Sequence, residues 1–126
     1  MKQEDKNLLL KDLCGRLPYR VKAQASIDEP ILTIEAYDGV DFLCDGGLEY
    51  KVEQIKPYLF PLSSMTEEQK AELSMLVVGE GDLFKSFLIE VEFYHKHHID
   101  YRGLIPIGLA IDATGLDIYD YGNKDM

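Results

Sequence analysis

The spacing of apolar residues changes twice along the chain and divides it into a helical start, a β-rich middle and a helical second half. Near the N-terminus apolar residues recur at steps of three and four, which predicts a short helix over residues 3–14. Gly15 and Pro18 come directly afterwards and are expected to end this helix. The residues that share its apolar face are Leu9, Leu10, Leu13 and Leu17.

From Tyr19 onward apolar and polar residues alternate, a pattern typical of half-buried strands. Four such segments are separated by turn residues. They predict a four-stranded antiparallel meander, because short Asp/Gly turns join neighbouring strands. The predicted strands cover residues 19–25, 31–37, 40–44 and 48–55, and the predicted turns lie at Asp28–Glu29–Pro30, Asp38–Gly39 and Asp45–Gly46–Gly47.

Helical signals return in the second half of the chain. Two overlapping capping boxes, Ser64 with Glu67 and Thr66 with Gln69, have the spacing that satisfies the first N–H groups of a helix. They predict a helix that runs to about Val77. Two glycines after it connect this helix to the next one.

The strongest helical signal in the chain begins at Asp82, whose carboxylate is suited to cap exposed N–H groups. This helix is expected to end between Ile99 and Tyr101. A helix this apolar is normally covered on more than one side, so we expect the rest of the chain to pack around it. Its apolar stripe consists of Phe84, Phe87, Leu88, Val91, Tyr94, His95 and His98.

Prolines and glycines mark two further irregular segments. Pro57 and Pro61 enclose residues 58–60, which predicts a packed apolar loop, and Pro106 and Gly108 predict an irregular C-terminal segment. The chain is therefore predicted to be a single α+β domain over residues 1–126. Its parts are a short N-terminal helix, a four-stranded antiparallel meander, two helices of the C-terminal half packed on the sheet, and an irregular C-terminal segment.

The formal net charge of −10 is unevenly distributed. Residues 1–25 contain six Lys/Arg and three acids, whereas Ile27–Tyr50 contain seven acids and no Lys or Arg. Such a surface repels a phosphate backbone and disfavours direct nucleic-acid binding. The acidity promotes solubility, and it also suits a face for a basic protein partner.

The remaining composition predicts a cytoplasmic protein. No apolar run is long enough to span a bilayer, and the charged N-terminus is unlike a signal peptide. Cys14 and Cys44 do not form a disulfide framework, which is consistent with a reducing compartment. Nothing in the composition calls for a cofactor.

Three segments resemble a set of small proteins from gut bacteria of the Bacteroides type and from their phages and mobile elements. They are residues 8–19 (LLLKDLCGRLPY), 55–69 (IKPYLFPLSSMTEEQ) and 96–112 (KHHIDYRGLIPIGLAID). The resemblance covers about a third of the chain and implies a cytoplasmic protein of a bacterial or mobile-element system, with no activity attached. An Ala-Pro type of turn would be expected near residues 113–115, where this chain has Ala113–Thr114–Gly115.

A histidine cluster is the best candidate for chemistry. His95 and His98 are one helical turn apart and Asp100 follows shortly, and such ligands can hold zinc or another divalent cation. A helical H-E-x-x-H motif is absent, and a fourth ligand would have to come from another segment. The alternative is that both histidines are core residues bonded to nearby backbone groups.

No catalytic signature is present, so the sequence favours a non-enzymatic protein-interaction module. Its candidate contact residues are four acids of the meander, together with Arg102, which either binds an anionic ligand or forms a salt bridge that holds the helix end. A metal-binding protein using the histidine cluster, or an acidic mimic of DNA, remain alternative functions; the oligomeric state stays open. The four acids are Asp38, Asp41, Asp45 and Glu49.

Overall fold

The computed structural model describes residues 1–25 and 30–119 and confirms the predicted α+β class. The helices are α1 (Gln3–Arg16), α2 (Glu67–Val77) and α3 (Leu83–Lys96). The strands are β1 (Lys22–Gln24), β2 (Leu32–Tyr37), β3 (Phe42–Cys44), β4 (Leu48–Tyr50), β5 (Lys56–Pro61), β6 (Ile99–Asp100) and β7 (Ile111–Asp112).

The predicted meander is present as β1 to β4, each strand antiparallel to the next. The β2–β3 turn forms where Asp38 and Gly39 predicted it: Oδ1 of Asp38 accepts from the N–H groups of Val40 and Asp41 at 2.8 and 2.7 Å. Gly39 has φ 99°, a conformation that an Asp-Gly turn requires. The turn predicted at Asp28–Glu29–Pro30 lies largely on residues 26–29, outside the described residues.

The prediction of a loop between Pro57 and Pro61 is wrong, because this segment is strand β5 at the centre of the sheet. The strand order is β4-β3-β2-β1-β5-β6, with β7 also paired to β5. The two prolines lie near the ends of β5, so the interior residues keep their N–H groups; that of Phe60 donates to the carbonyl of His98 at 2.8 Å. β5 runs antiparallel to β1 and parallel to β6 and β7.

The main core lies between α1 and the sheet. Leu9 and Leu13 of α1 are fully buried and pack against the inward side chains of the strands. On β5, Leu59 joins this core, whereas Tyr58 joins a second cluster with Ala113 and Tyr119. Burial on both faces makes β5 the structural centre of the domain.

α1 extends two residues past its predicted end at residue 14, and Gly15 lies inside the helix. The helix ends at Arg16 and passes into a short 3-10 turn at Leu17–Tyr19 that contains Pro18. Arg20 then takes a left-handed φ of 54° and redirects the chain into the sheet. Gly15 therefore has another role, described below.

Both predicted helices of the second half are present, but the predicted capping box of Ser64 with Glu67 is not formed, because the Ser64 hydroxyl donates to the carbonyl of Pro61 at 2.7 Å. Thr66 and Gln69 form the capping box of α2, and Asp82 accepts from the first N–H groups of α3. α3 ends at Lys96, before the predicted limit, because His98 adopts a left-handed φ of 59°. α3 contacts α1, α2 and β6.

Candidate protein-docking surface

The C-terminal half of α3 is anchored to the domain by a buried ion pair of α1. Asp12 and Arg16 have fully buried side chains, and Arg16 Nε lies 2.7 Å from Oδ2 of Asp12. The guanidinium also donates to the carbonyl of Ile99 at 2.7 Å and to that of Tyr94 at 3.4 Å. Arg102 adds a second cation 3.2 Å from Oδ1 of Asp12. One carboxylate thus joins α1, the end of α3 and the segment after β6.

His95 packs on Gly15 and bonds to Tyr101. Its Nε2 lies 2.8 Å from the Tyr101 hydroxyl oxygen, and the side chain is buried. Burial, assisted by the nearby Arg16 charge, lowers the pKa of His95 to about 4. The ring is therefore neutral at physiological pH and has a structural position.

His98 lies beyond the helix end and stacks on Tyr119, with ring centroids 3.6 Å apart. Burial lowers its pKa to about 3, with smaller contributions from Arg16, His97 and Lys22. Asp100 is buried as well and accepts from the N–H groups of Leu104 and Ile105 at 2.8 and 2.9 Å. The three side chains of the sequence-based metal hypothesis thus have separate partners.

The structure does not bring His95, His98 and Asp100 together. Within residues 1–25 and 30–119, the one group of three potential ligands whose atoms lie within 4.8 Å of one another is Asp38, Asp41 and Glu49. One oxygen of Asp38, Oδ1, already accepts two N–H groups in the β2–β3 turn, and Lys51 Nζ lies 3.5 Å from Oδ1 of Asp41. Backbone donation from Asp41 and Val40 lowers the pKa of Asp38.

The other two predicted contact residues also have structural partners. Asp45 accepts from the backbone N–H of Thr33 at 2.9 Å and so links the β3–β4 turn to β2. Arg102 pairs with Asp12 and lies over the Tyr101 ring at 5.1 Å from its centroid. It therefore holds the segment after β6 to α1.

We expect Gly15→Ala to destabilise the protein because a Cβ at this position would lie 2.5 Å from Cε1 of His95. The clash should cost about 1–3 kcal/mol, which exceeds the gain of up to about 1 kcal/mol from replacing glycine inside a helix. In a His95→Ala background the same change should be neutral or stabilising. Urea unfolding of the wild type, the two single variants and the double variant measures this coupling between residues 15 and 95. If Gly15→Ala costs the same with and without the His95 ring, the ring does not lie against Gly15.

The N-terminal half of α3 exposes a continuous apolar surface. Leu83, Phe84, Phe87 and Leu88 are 86%, 68%, 60% and 51% exposed. The expectation that α3 is covered along its length is therefore wrong. We call these four residues, together with Leu76 of α2, the docking face.

The docking face continues the stripe that anchors the other half of α3. Phe84, Phe87 and Leu88 share one side of the helix with Tyr94 and His95, at steps of three and four. The rings of Tyr94 and Tyr101 stack with their centroids 5.4 Å apart, and His95 is buried against α1. One apolar stripe is thus covered by the domain at its C-terminal end and exposed at its N-terminal end.

α2 extends the docking face without covering it. All of residues 67–77 are described, and none of them is buried. A groove of about 340 Å³ runs between the two helices, with Leu76 and Leu88 in its wall. Its remaining lining residues are Glu72, Ile89, Glu92, Phe93 and Lys96.

Acidic residues surround the docking face. Residues 66–96 contain seven acids and three lysines. Glu72 and Glu92 line the groove, and Glu90 lies beside Leu83 and Phe87 in a second shallow depression. The surface is therefore apolar in the middle and negative at its edge.

Sequence reasoning identified the stripe and missed its exposure. Helical spacing shows which residues share a side of the helix, but not whether another element covers that side, so the sequence alone predicts the whole stripe to be core. Exposed apolar residues also cluster where α2 leads into α3: Met75 and Val78 are 76% and 73% exposed.

Comparison of the chain with protein-family models, with curated proteins and with solved structures gives no match. In the described part of the chain, no helix has the length and apolar character needed to cross a membrane.

Proposed function

We propose that this protein is a non-enzymatic interaction module that binds another polypeptide on its docking face. The observation that carries this proposal is the divided stripe of α3, buried at His95 and exposed at Phe84 and Phe87. Leu76 and Leu88 line the groove between α2 and α3, and Phe84 and Phe87 line the second depression on α3. Apolar depressions beside a helix are the kind of surface that binds the apolar side of an amphipathic helix.

The size of the exposed surface supports a stable contact. The five residues of the docking face are between 49% and 86% exposed, and Met75 and Val78 at the end of α2 are 76% and 73% exposed. A standard interface buries roughly 800 Å² on each partner, and exposed side chains of this kind can form its apolar centre. Large apolar patches on protein surfaces usually mark interaction sites, because leaving them in water is unfavourable.

The alternative functions have less support from the geometry. The ligand atoms of His95, His98 and Asp100 do not converge, which weighs against a metal centre on these residues. The Cys44 thiol is a poor nucleophile, because burial raises its pKa to about 11. A mimic of DNA would use the acidity of the chain but has no use for exposed phenylalanines.

The setting of the module is proposed from the sequence. On the resemblance of its loop segments to small proteins of gut bacteria and their mobile elements, we expect it to act in a bacterial cytoplasm. Its partner would then be a bacterial or phage protein.

A neutral amphipathic peptide tests the docking face. A labelled helix with leucines on one side and glutamines on the other, of about 18 residues, is long enough to form a helix in water. We expect it to bind the wild-type protein, and we expect Phe84→Ser with Phe87→Ser to weaken binding by about 30-fold or more, as for aromatic hot spots. Fluorescence anisotropy measures both affinities.

The controls separate binding from folding. Val40 is 66% exposed in the β2–β3 turn, so Val40→Ser removes an exposed apolar side chain outside the docking face and should leave peptide binding unchanged. The double serine variant should retain its free energy of unfolding to within about 1 kcal/mol, because exposed side chains contribute little to stability. Peptide binding that is equal in the double variant and the wild type would refute the proposed function.

A further inference from the structure

Resting on the proposed function, we infer that the partner of the docking face is a cationic amphipathic helix. The exposed apolar residues of α3 run from Leu83 to Leu88, which at about 1.5 Å per residue is about 8 Å of helix, and Leu76 of α2 widens the face. A partner helix lying along it would place apolar side chains at positions i, i+4 and i+7 against the phenylalanines. These positions span about two turns of the partner helix, which is enough to cover the exposed residues.

The charges at the edge of the docking face determine the polar side of the partner. Glu72 and Glu92 line the groove on one side of α3, and Glu90 lies on the other side. Lys96 is the single cation among the residues that line the two depressions. Lysine or arginine flanking the apolar positions of the partner would meet these carboxylates, whereas an acidic partner would be repelled.

The same charges disfavour two other occupants. A second copy of the chain would bring its own net charge of −10, and its own seven acids of residues 66–96, against the same face. An anionic lipid surface would be repelled as well, since the membrane-binding faces of amphipathic helices are usually flanked by lysine and arginine. A separate cationic polypeptide is the occupant that satisfies both the apolar centre and the negative edge.

The experiment compares three peptides with the same leucine face and with lysine, glutamine or glutamate on the polar side. We expect the lysine peptide to bind at least about tenfold more tightly than the glutamine peptide at low salt, and this difference to shrink as salt screens the charges. The glutamate peptide should bind most weakly. Phe84→Ser with Phe87→Ser should weaken binding of all three peptides by about 30-fold or more.

Two matched charge variants test whether the preference for the lysine peptide over the glutamine peptide arises at the docking face. Glu90→Gln with Glu92→Gln should remove most of the preference for lysine over glutamine and leave the glutamine peptide's affinity unchanged. Glu35→Gln with Glu49→Gln changes the net charge equally at two exposed positions in or near the meander and should preserve the preference. Loss of the preference in both variants would show attraction to the whole acidic chain and would overturn the inference.

The remaining outcomes separate the inference from the proposed function. If the glutamine peptide binds in a Phe84- and Phe87-dependent way and the lysine peptide binds no more tightly, the partner class is wrong and the docking face stands. If neither peptide's binding depends on these phenylalanines, both proposals fail. Sedimentation velocity could show that the wild type is a dimer and that the double serine variant is a monomer; the docking face would then bind a second copy of the chain. Co-sedimentation of the protein with anionic vesicles would instead assign the face to a lipid surface. Either result would overturn the inference.

Discussion

Replacing Asp12 with alanine is expected to lower the free energy of unfolding by about 3–5 kcal/mol, the cost of leaving a buried charge without its partner. Arg16 would retain two carbonyl acceptors and lose its counter-ion in a position that is fully buried. Arg102 would lose the carboxylate oxygen that lies 3.2 Å away. Because these contacts join α1 to the end of α3, the loss should appear as cooperative unfolding at lower urea concentration.

Two further variants distinguish this effect from the loss of any ion pair. Lys6 and Glu53 form a partly exposed pair at 3.1 Å, and Lys6→Ala should cost less than about 1 kcal/mol. Replacing Asp12, Arg16 and Arg102 together by leucine and methionine should restore much of the stability lost in Asp12→Ala, since well-packed apolar residues often replace a buried charge network at little cost. An Asp12→Ala variant as stable as wild type would contradict the account of this anchor.

The second large effect is a loss of stability in mild acid. His95 and His98 have folded-state pKa values of about 4 and about 3, whereas an unfolded histidine titrates near 6.5. Below pH 6.5 the unfolded chain therefore binds protons that the folded protein excludes. The free energy of unfolding is therefore unaffected by these two histidines above pH 6.5. Below it, the free energy of unfolding falls by about 1.4 kcal/mol per pH unit for each histidine, until the pH reaches the folded-state pKa values.

Burial is the main cause of both lowered pKa values, and the charged groups near the rings add to it. His95 is surrounded by Arg16, Arg102 and Tyr101, with the Asp12 charge acting in the opposite direction. Burial lowers the pKa of His97 as well, so urea unfolding at several pH values between about 7.5 and about 4.5 should show at least the slope of two histidines, and His95→Gln should remove the contribution of one. A free energy of unfolding that does not change between pH 7 and pH 5 would show that the rings are accessible to protons in the folded state.

Local sequence signals were sufficient for the meander and the helix caps. The β2–β3 turn at Asp38–Gly39 and the capping of α3 by Asp82 each depend on residues close together in the chain, so their spacing alone predicted them. β5 could not be found in this way. Its prolines suggest a loop locally, and its parallel pairing with β6 and β7 joins residues about 40 to 50 positions apart.

The candidate site was predictable in its residues and not in its environment. Phe84, Phe87 and Leu88 were placed on the correct stripe of α3, but their exposure depends on where the domain ends beneath the helix. Gly15 was interpreted as a helix end, whereas its lack of a side chain admits the His95 ring. Such distinctions depend on contacts between distant segments, which periodicity does not report.

Amide chemical-shift mapping tests the docking face most directly. The ¹⁵N-labelled protein is titrated with the lysine peptide, and the amides whose shifts change are assigned along the chain. We predict saturable changes concentrated at Leu83–Val91 and around Leu76, with little change at Asp38, Asp41 and Glu49. Changes centred on those meander acids, with residues 83–91 unaffected, would contradict the central claim.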